Sequence, residues 1–232
     1  MDLVTQGLLG AACAQLVAKS GHVRKAACIG LLAGLLPDAD VLLRSSDDPL
    51  LFLAYHRHFS HALIFVPAGA LIAALVLWWP FRSLNFPHIY LYALAGYGLA
   101  GLLDACTSYG THLWWPFSTT RVAWSLVSIV DPVVSLLLLT GVVLGLWCQR
   151  RWIVLLPLAL TALYLALGFV QQQRATDLVR NLAEARGHAA GSLLVKPTFG
   201  NIVLWRSVYV DAGVIYADGI RPALLSQPRI YS

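Results

Sequence analysis

The sequence is poor in charged residues. Only 12% of its 232 residues are Asp, Glu, Lys or Arg, whereas 59% are hydrophobic and the mean hydropathy is +0.71. A soluble globular domain carries about 25% charged residues, so this composition excludes an ordinary soluble protein. The sequence therefore predicts an integral membrane protein.

Cysteine is also scarce, and its spacing excludes the usual cysteine motifs. The four cysteines lie in or beside apolar runs and none forms a Cys-x-x-Cys pair, which favours small buried side chains over disulfides or a thiolate metal site. The basic residues give a net charge of +5 but form no long run. They therefore indicate membrane topology and contact with membrane lipids, and no nucleic-acid binding is expected.

Uncharged runs divide the first 173 residues into six segments. An α-helix rises about 1.5 Å per residue, so the last four runs are long enough, or nearly so, to cross a hydrocarbon core of roughly 30 Å. The first two are shorter and predict a helical hairpin packed against the others. No signal peptide is expected, because Asp2 stands where a basic segment should be. The runs cover residues 3–18, 26–37, 62–81, 87–103, 132–149 and 152–173.

The predicted fold is an all-α polytopic membrane helical bundle over residues 1–170, followed by a small extramembrane α/β tail over residues 171–232. Apolar residues at helical spacing from Ala175 predict an amphipathic helix that stops at Gly187. The segments "SLLV", "NIVLWRSVYV" and "GVIYADG" then alternate like strands, and "DAG" between the last two is typical of an antiparallel hairpin.

Lys and Arg are distributed unequally between the two sides of the predicted bundle. If all six runs cross or nearly cross, the short turns on one side hold Lys19, Arg24, Lys25, Arg82, Arg150 and Arg151 and no acidic residue. The two internal loops on the other side hold only Arg44, Arg57 and Arg121. By the positive-inside rule the first side is cytoplasmic, so the polar loops and the tail are predicted to lie in the periplasm or outside the cell.

Three polar motifs fall on that predicted outer side: "PDAD", "HRHFSH" and "LLDACTSYGTH". Asp104 ends an apolar run, and a charged aspartate at the centre of a span costs roughly 2.5–3.5 kcal/mol, less near the interface, so it needs a partner or a function. Carboxylates and imidazoles together are the ligands of Zn, Mn and Fe sites. The sequence predicts a divalent metal ion, zinc first with manganese or iron as alternatives, held by Asp38, Asp40, His56, His61 and Asp104.

The spacing of the histidines leaves the ligand set open. Ser60 is predicted to cap a helix that begins at His61, which leaves the preceding residues in a loop. Either His56 or His58 could then join His61 at a metal. Arg57 is expected to hold a phosphate oxygen with its planar guanidinium, and His58 or a surplus carboxylate to act as general base or acid. Arg57, His58 and Ser60 form the candidate catalytic set.

The ordered motifs "MDLVTQGLLGAA", "GLLPDADVLL", "HRHFSHAL", "LLDACTSYGTHLWWPFS" and "IVDP" resemble the YdjM-like family of bacterial inner-membrane proteins, described as metal-dependent hydrolases. The tail "VKPTFGNIVLWRSVYVDAGVIY" is also similar to that family. The resemblance implies a bacterial inner-membrane location and a distant kinship with zinc phospholipase C and nuclease folds. The family elements HRxxSH, PDxD and LLDxxTxYGT fall here on His56, Arg57, Ser60, His61, Asp38, Asp40, Asp104, Thr107, Tyr109 and Gly110.

The chain departs from the family pattern at three positions. Ala100 stands where many relatives carry a histidine, four residues before the aspartate that corresponds to Asp104. His58 replaces the usual glycine after the His-Arg pair, and His112 replaces a glutamine. One ligand is thus missing and two imidazoles are added, so the site is expected to have shifted its ligands or weakened its metal.

The leading hypothesis for function is a membrane-embedded metal-dependent hydrolase that acts at the periplasmic face on a phosphoester of lipid or lipid-linked type. A zinc-class ion lowers the pKa of bound water to roughly 7 and supplies hydroxide at physiological pH. The alternative is a non-catalytic membrane protein whose cluster is a structural metal site or an ion-pair network, with a tail that binds a partner. A transporter is disfavoured because the charges gather at one face and not near the midplane.

Overall fold

The computed structural model describes residues 1–42, 56–189, 191–222 and 227–231. Within these ranges the chain is mostly helical, with an antiparallel sheet near its end. The α-helices are α1 (Leu3–Leu16), α2 (Val23–Leu35), α3 (Val66–Trp78), α4 (Phe86–Tyr97), α5 (Ala100–Ala105), α6 (Pro132–Cys148) and α7 (Leu155–Ala185). The strands are β1 (Leu193–Pro197), β2 (Trp205–Asp211), β3 (Val214–Arg221) and β4 (Arg229–Tyr231).

Among the residues that the structure describes, two helical segments are long and apolar enough to cross a membrane. They are Phe86–Ala105, which joins α4 and α5, and Arg151–Ala185, which contains α7. The apolar helices Leu3–Leu16, Leu63–Trp78 and Pro132–Cys148 are shorter than a full span. The helical fold class is therefore confirmed and two apolar helices fit a membrane protein, whereas the six-segment bundle stays a prediction.

The first two helices form the predicted hairpin, and they pack with their backbones in contact. A Cβ atom added to Gly10 would lie 2.3 Å from the carbonyl oxygen of Gly30 and 3.0 Å from that of Gly96. Only glycine permits this approach, and small residues serve the same purpose where membrane helices cross closely. Helices α1, α2 and α4 therefore meet around these three glycines.

The polar motifs converge at one end of this bundle. The start of α1 is tied to the segment before α6, because the amide of Asp2 donates to the carbonyl of Ile129 at 3.0 Å. The amide of Leu63, just before α3, donates to the carbonyl of Leu113 at 3.0 Å. Asp131 caps α6 by accepting from the amide of Val133 at 3.0 Å, so that carboxylate has a structural role.

Helix α7 is continuous for 31 residues and passes through the predicted boundary between residues 170 and 171. The expected amphipathic helix is its carboxy-terminal part, and the stop at Gly187 is confirmed, with a φ of +71° there. The division into residues 1–170 and 171–232 thus crosses an unbroken helix and stays a prediction.

The tail sheet has the order β1-β2-β3-β4 with antiparallel neighbours. The predicted hairpin is confirmed: Ala212 and Gly213 connect β2 to β3 with φ values of +47° and +80°, as a two-residue type I′ turn requires. The sequence analysis missed β4. Buried Trp205 and Ile220 belong to the same apolar cluster as Val179 of α7, so the sheet rests on the helix that leads into it.

The orientation of the protein in the membrane stays a prediction that a pair of fusions can test. An alkaline phosphatase fused after Ser232 should be active, and a fluorescent protein fused there should be dark, because the sheet is predicted to be periplasmic. Fusions after Arg82, in a turn predicted to be cytoplasmic, should give the opposite pattern. Reversal at both positions would move the polar end of the bundle to the cytoplasm.

Candidate metal centre

Three short segments bring the predicted ligands to the polar end of the bundle. A 3₁₀ helix, Leu36–Leu42, follows α2 and carries Asp38 and Asp40. The 3₁₀ turn Phe59–His61 carries His61, and the last turn of α5 carries Asp104. All four side chains are buried, and Asp104 is fully inaccessible. The segments therefore enclose a cluster of acids and imidazoles away from water.

Asp38, His61 and Asp104 form one group able to hold a metal ion. Each offers one ligand atom, and these atoms all lie within 4.8 Å of one another. The Nε2 atom of His61 is 3.4 Å from Oδ1 of Asp38 and 3.0 Å from Oδ2 of Asp104. An ion at about 2.0–2.2 Å from each atom would fit such a triangle after small side-chain movements.

A second group overlaps the first. Asp38, Asp40 and His56 also offer ligand atoms within 4.8 Å of one another. Asp38 belongs to both groups, so it could contribute to an ion held in either. Carboxylates and imidazoles of this kind suit zinc, manganese or iron, and they do not distinguish among these metals.

The donor atoms themselves fit a bound cation. Among the described residues, Nε2 of His61 and the Oδ1 atoms of Asp38 and Asp104 are buried and form no well-aligned hydrogen bond, although Oδ1 of Asp104 also contacts the Met1 amino group and Arg57. Buried polar atoms are nearly always satisfied in native proteins, so such atoms call for an explanation, and an ion is one. The three atoms come from the residues of the first group, and a cation would satisfy all of them.

Asp40 holds the other members of the cluster in place. Its carboxylate accepts hydrogen bonds from the amide of Arg57 at 2.8 Å and the hydroxyl of Ser60 at 2.7 Å, and it lies 2.9 Å from Nδ1 of His56. Burial raises the pKa of Asp40, but hydrogen bonds from His56, His61 and Ser60 outweigh burial and hold that pKa well below its ordinary value. A carboxylate on Nδ1 fixes an imidazole so that Nε2 can bind a metal.

The prediction that Ser60 caps a helix beginning at His61 is wrong. The first α-helix after it, α3, begins at Val66, and two 3₁₀ turns precede that residue. The Ser60 hydroxyl instead bonds Asp40 and lies 3.0 Å from Nδ1 of His61. The hydrogen bond to the buried Asp40 carboxylate therefore takes the place of the expected helix cap. The suggested catalytic role of Ser60 stays a prediction.

Arg57 lies at the centre of the polar end in a strained conformation. Its φ is +59°, a left-handed value that costs a non-glycine residue about 1–3 kcal/mol and is often found at functional sites. Its carbonyl accepts from the hydroxyl of Thr111 at 3.1 Å. Its buried guanidinium donates to the carbonyl of Met1 at 2.9 Å and lies 3.3 Å from the Asp104 carboxylate. These contacts hold a cation beside the candidate ligands.

Asp104 has further partners that the sequence analysis missed. Gln6 donates to Oδ2 of Asp104 at 2.6 Å, and the Met1 amino group contacts Oδ1. Burial lowers the pKa of that amino group to about 4, so near neutral pH the partner is an uncharged amine. Gln6 is one of three polar residues in the mostly apolar helix α1, with Thr5 and Gln15, and this is the sequence signal that could have revealed it.

Arg121, the other arginine of the described polar loops, contacts residues other than Asp104. Its guanidinium donates to the carbonyl of His56 at 3.2 Å and lies 4.7 Å from the centre of the Tyr109 ring. Arg57 lies 5.1 Å from the centre of the same ring. Tyr109 therefore receives two cations, an arrangement that orders the rim of the cluster.

Other residues of the family motif support the backbone around Asp104. The Thr107 hydroxyl donates to the Asp104 carbonyl at 2.8 Å and closes the end of α5. Gly110 has a φ of +70°, and a Cβ atom there would lie 2.3 Å from the carbonyl oxygen of Val122. These two positions are explained by structure without any chemical role.

The two additional histidines lie together, and the described contacts do not place them in either ligand group. The ring centres of His58 and His112 are 4.8 Å apart, and His58 also lies 5.6 Å from Trp115. Ala100 is buried in α5 one turn before Asp104, on the face where relatives would place their histidine. The role of His58 as general acid or base stays a prediction.

Comparison with known proteins agrees with this arrangement of motifs. A sequence profile of the family described as "YdjM inner membrane protein" matches residues 1–175. The chain is also 26% identical over 193 residues to the uncharacterized protein YfhP of Bacillus subtilis (strain 168). That match covers 82% of this chain but only 58% of YfhP. No solved structure matches the chain significantly.

The histidine pair predicts how stability depends on pH. Burial lowers the pKa of His58 and of His112, and the charge of Arg121 lowers both further. A lowered pKa means that the folded state binds fewer protons than the unfolded state near pH 6.5, so stability falls as the pH drops through and below that value. The melting temperature in detergent should therefore decrease between about pH 7.5 and 5.5.

Replacing both imidazoles should flatten this dependence. The double variant His58→Gln/His112→Gln should lose most of the decrease in melting temperature over that range. Trp115→Phe is the control, because it alters a neighbouring ring and keeps both histidines, and it should retain the wild-type slope. An unchanged slope in the double variant would show that other groups cause the dependence.

Proposed function

The chain belongs to the YdjM family of inner membrane proteins, and we propose that it is a metal-dependent hydrolase that cleaves a phosphoester of lipid or lipid-linked type. The observation that carries this proposal is the pair of overlapping ligand groups that share buried Asp38. Two-metal sites of this general kind are common in phosphatases and nucleases, where they stabilise both the attacking and the leaving oxygen.

In this proposal the first group, Asp38, His61 and Asp104, holds one ion, and Asp40 and His56 contribute to a second. A bound zinc-class ion would supply a water with a pKa of roughly 7 and would polarise the phosphoryl oxygens. Asp40 keeps its charge at neutral pH, since its hydrogen bonds hold its pKa low. It therefore orients His56 and the Ser60 hydroxyl throughout the reaction, and Ser60 acts as a positioning residue.

A polar cavity beside the cluster is the proposed substrate site. Its volume is about 190 Å³, and it is lined by Met1, Asp2, Leu3, Asp38, Val41, His56 and Arg57. Within the described chain, Nε of Arg57 has no hydrogen-bond partner, and Nη1 forms none but lies 3.3 Å from the Asp104 carboxylate. A phosphate oxygen in this cavity could accept from those atoms, since guanidinium donors match phosphate geometry.

His56 is the best-placed candidate for proton transfer to the leaving group. It lines the cavity, is partly exposed, and has its Nδ1 atom fixed by Asp40 at 2.9 Å. His58 lies against His112 and Trp115 instead. We therefore prefer His56 over His58 as general acid when only the first ligand group holds an ion, because the Nε2 atom of His56 cannot both bind a second ion and carry the proton. The reaction is proposed to occur at the periplasmic face.

The non-catalytic alternative has its own support in the ion pairs of the cluster. Arg57 lies 3.3 Å from Asp104, and both side chains are buried. Such a pair can hold helices together with no metal, or beside a structural one. Removing one partner of a buried pair is strongly destabilising, by about 3–5 kcal/mol.

Asp104→Asn distinguishes these functions because it preserves shape and removes charge. If Asp104 binds a catalytic ion, the variant should lose metal, and metal content decides the case because the contact with Arg57 is lost under either hypothesis. The rate of metal-dependent hydrolysis should also fall by at least about 100-fold. That rate is measured as phosphate released from phosphatidic acid or nitrophenol released from bis(p-nitrophenyl) phosphate. If Asp104 only pairs with Arg57, metal content should be unchanged and the melting temperature clearly lower.

Asp131→Asn is the matched control. Asp131 is another fully buried aspartate at the same end, but it caps α6 and accepts from Tyr164. Asparagine is also a good helix cap, so this variant should keep both metal and activity. If the wild-type protein binds metal but cleaves neither phosphatidic acid nor bis(p-nitrophenyl) phosphate, the proposed hydrolase function is overturned and a structural metal site is favoured.

A further inference from the structure

An apolar groove begins where the polar cavity of the candidate centre ends. The groove has a volume of about 290 Å³ and is lined by Leu3, Val4, Gly7, Leu8, Leu31 and Leu35. Leu3 also lines the polar cavity that contains Asp38 and Arg57. The two spaces therefore adjoin at the first turn of α1, one with acidic and basic walls and the other with only hydrocarbon side chains and a glycine.

The groove is a product of the spacing of residues on two helices. Leu3 and Gly7 are one turn apart on α1, and Leu31 and Leu35 are one turn apart on α2, so each pair lies on one helix face. A Cβ atom on Gly7 would lie 3.3 Å from a terminal methyl carbon of Leu35 and 3.4 Å from Cγ of Leu31. The missing side chain of Gly7 thus keeps the space between the helices open.

The outer edge of the groove is exposed in the way expected of a surface that faces lipid. Leu3 is 56% exposed and Val4 is 67% exposed, and both precede the first buried turn of α1. In a membrane protein this edge contacts acyl chains. A molecule could enter sideways from the bilayer with its polar end already next to Arg57.

We propose that the groove binds an acyl chain of the substrate while the substrate's phosphate lies in the polar cavity. This inference rests on the proposed function and specifies its substrate as a membrane phospholipid with a phosphate at the cavity. Two carboxylates, Asp2 and Asp38, line the cavity together with Arg57, so charge favours a phosphate there once a cation is bound beside Asp38. The groove, in contrast, offers nothing to a polar group. The first turn of α1 then selects amphiphilic phosphoesters over soluble ones.

Photolabelling tests the occupant without requiring turnover. The wild-type protein in phosphatidylcholine vesicles is labelled with a trace of phosphatidic acid that carries a diazirine in its acyl chain, and adducts are mapped by mass spectrometry. Adducts should concentrate on residues 3–8 and 31–35. Diacylglycerol with the same diazirine chain lacks the phosphate, and it should label these residues at least about five-fold less.

Two variants that fill the groove from opposite walls should abolish the selective labelling. Gly7→Leu and Leu31→Phe should each reduce phosphatidic acid adducts in the groove by at least about five-fold. Val76→Leu, at a 69% exposed position of α3, is the control and should leave them unchanged. Leu31→Phe keeps the test valid if Gly7→Leu does not fold.

The outcomes separate this inference from the proposed function. Equal labelling by phosphatidic acid and diacylglycerol would mean that ordinary bilayer lipid fills the groove, and it would overturn the inference even if the protein hydrolyses soluble phosphoesters. Phosphate-dependent labelling that both groove variants abolish would support the inference even if no hydrolysis is found. Labelling that resists both variants would also overturn it.

Discussion

The burial of three aspartates at the edge of an apolar bundle is the constraint on which the rest of this structure depends. Asp38, Asp40 and Asp104 are each less than 7% exposed. A buried carboxylate without compensation costs several kcal/mol, so each must be neutralised, paired or bound to a cation. The groups that compensate these carboxylates are Arg57, two imidazoles and a set of hydrogen-bond donors. Asp40 is fully compensated by such donors. Asp104 is paired with Gln6, Met1 and Arg57, whereas in the described part of the chain Oδ1 of Asp38 has only Nε2 of His61 nearby, at 3.4 Å.

That requirement explains the arrangement of the helix ends. Asp38 and Asp40 follow the end of α2, and Asp104 lies in the last turn of α5, so side chains can approach these acids from several segments. The close glycine contacts between α1, α2 and α4 hold those ends at a fixed separation. The strained backbone of Arg57 is tolerated because its amide, carbonyl and guanidinium are all bonded there. The site and the fold therefore stabilise each other.

Much of the fold and of the candidate site could be predicted from the sequence, because hydropathy and local motifs depend on residues that are close together in the chain. The apolar runs predicted the helices, "DAG" predicted a hairpin, and the Asp and His motifs predicted residues that the structure gathers into two groups. What was missed depends on tertiary contacts. The partnership of Gln6 with Asp104 joins residues 98 positions apart, and the Ser60 hydroxyl bonds an acid 20 positions away. Local spacing cannot choose between a helix cap and such a contact, nor foresee that His58 would pair with His112.

X-ray absorption at the metal edge of purified protein tests the central claim, that this cluster is a metal centre, most directly. The predicted spectrum shows one or two zinc, manganese or iron ions per chain, surrounded by nitrogen and oxygen at about 2.0–2.2 Å with the outer-shell signature of imidazole. Absence of a stoichiometric metal after reconstitution, or a sulfur shell at about 2.3 Å, would contradict it. The first result would leave an ion-pair network in its place, and the second would assign the metal to cysteines outside the cluster.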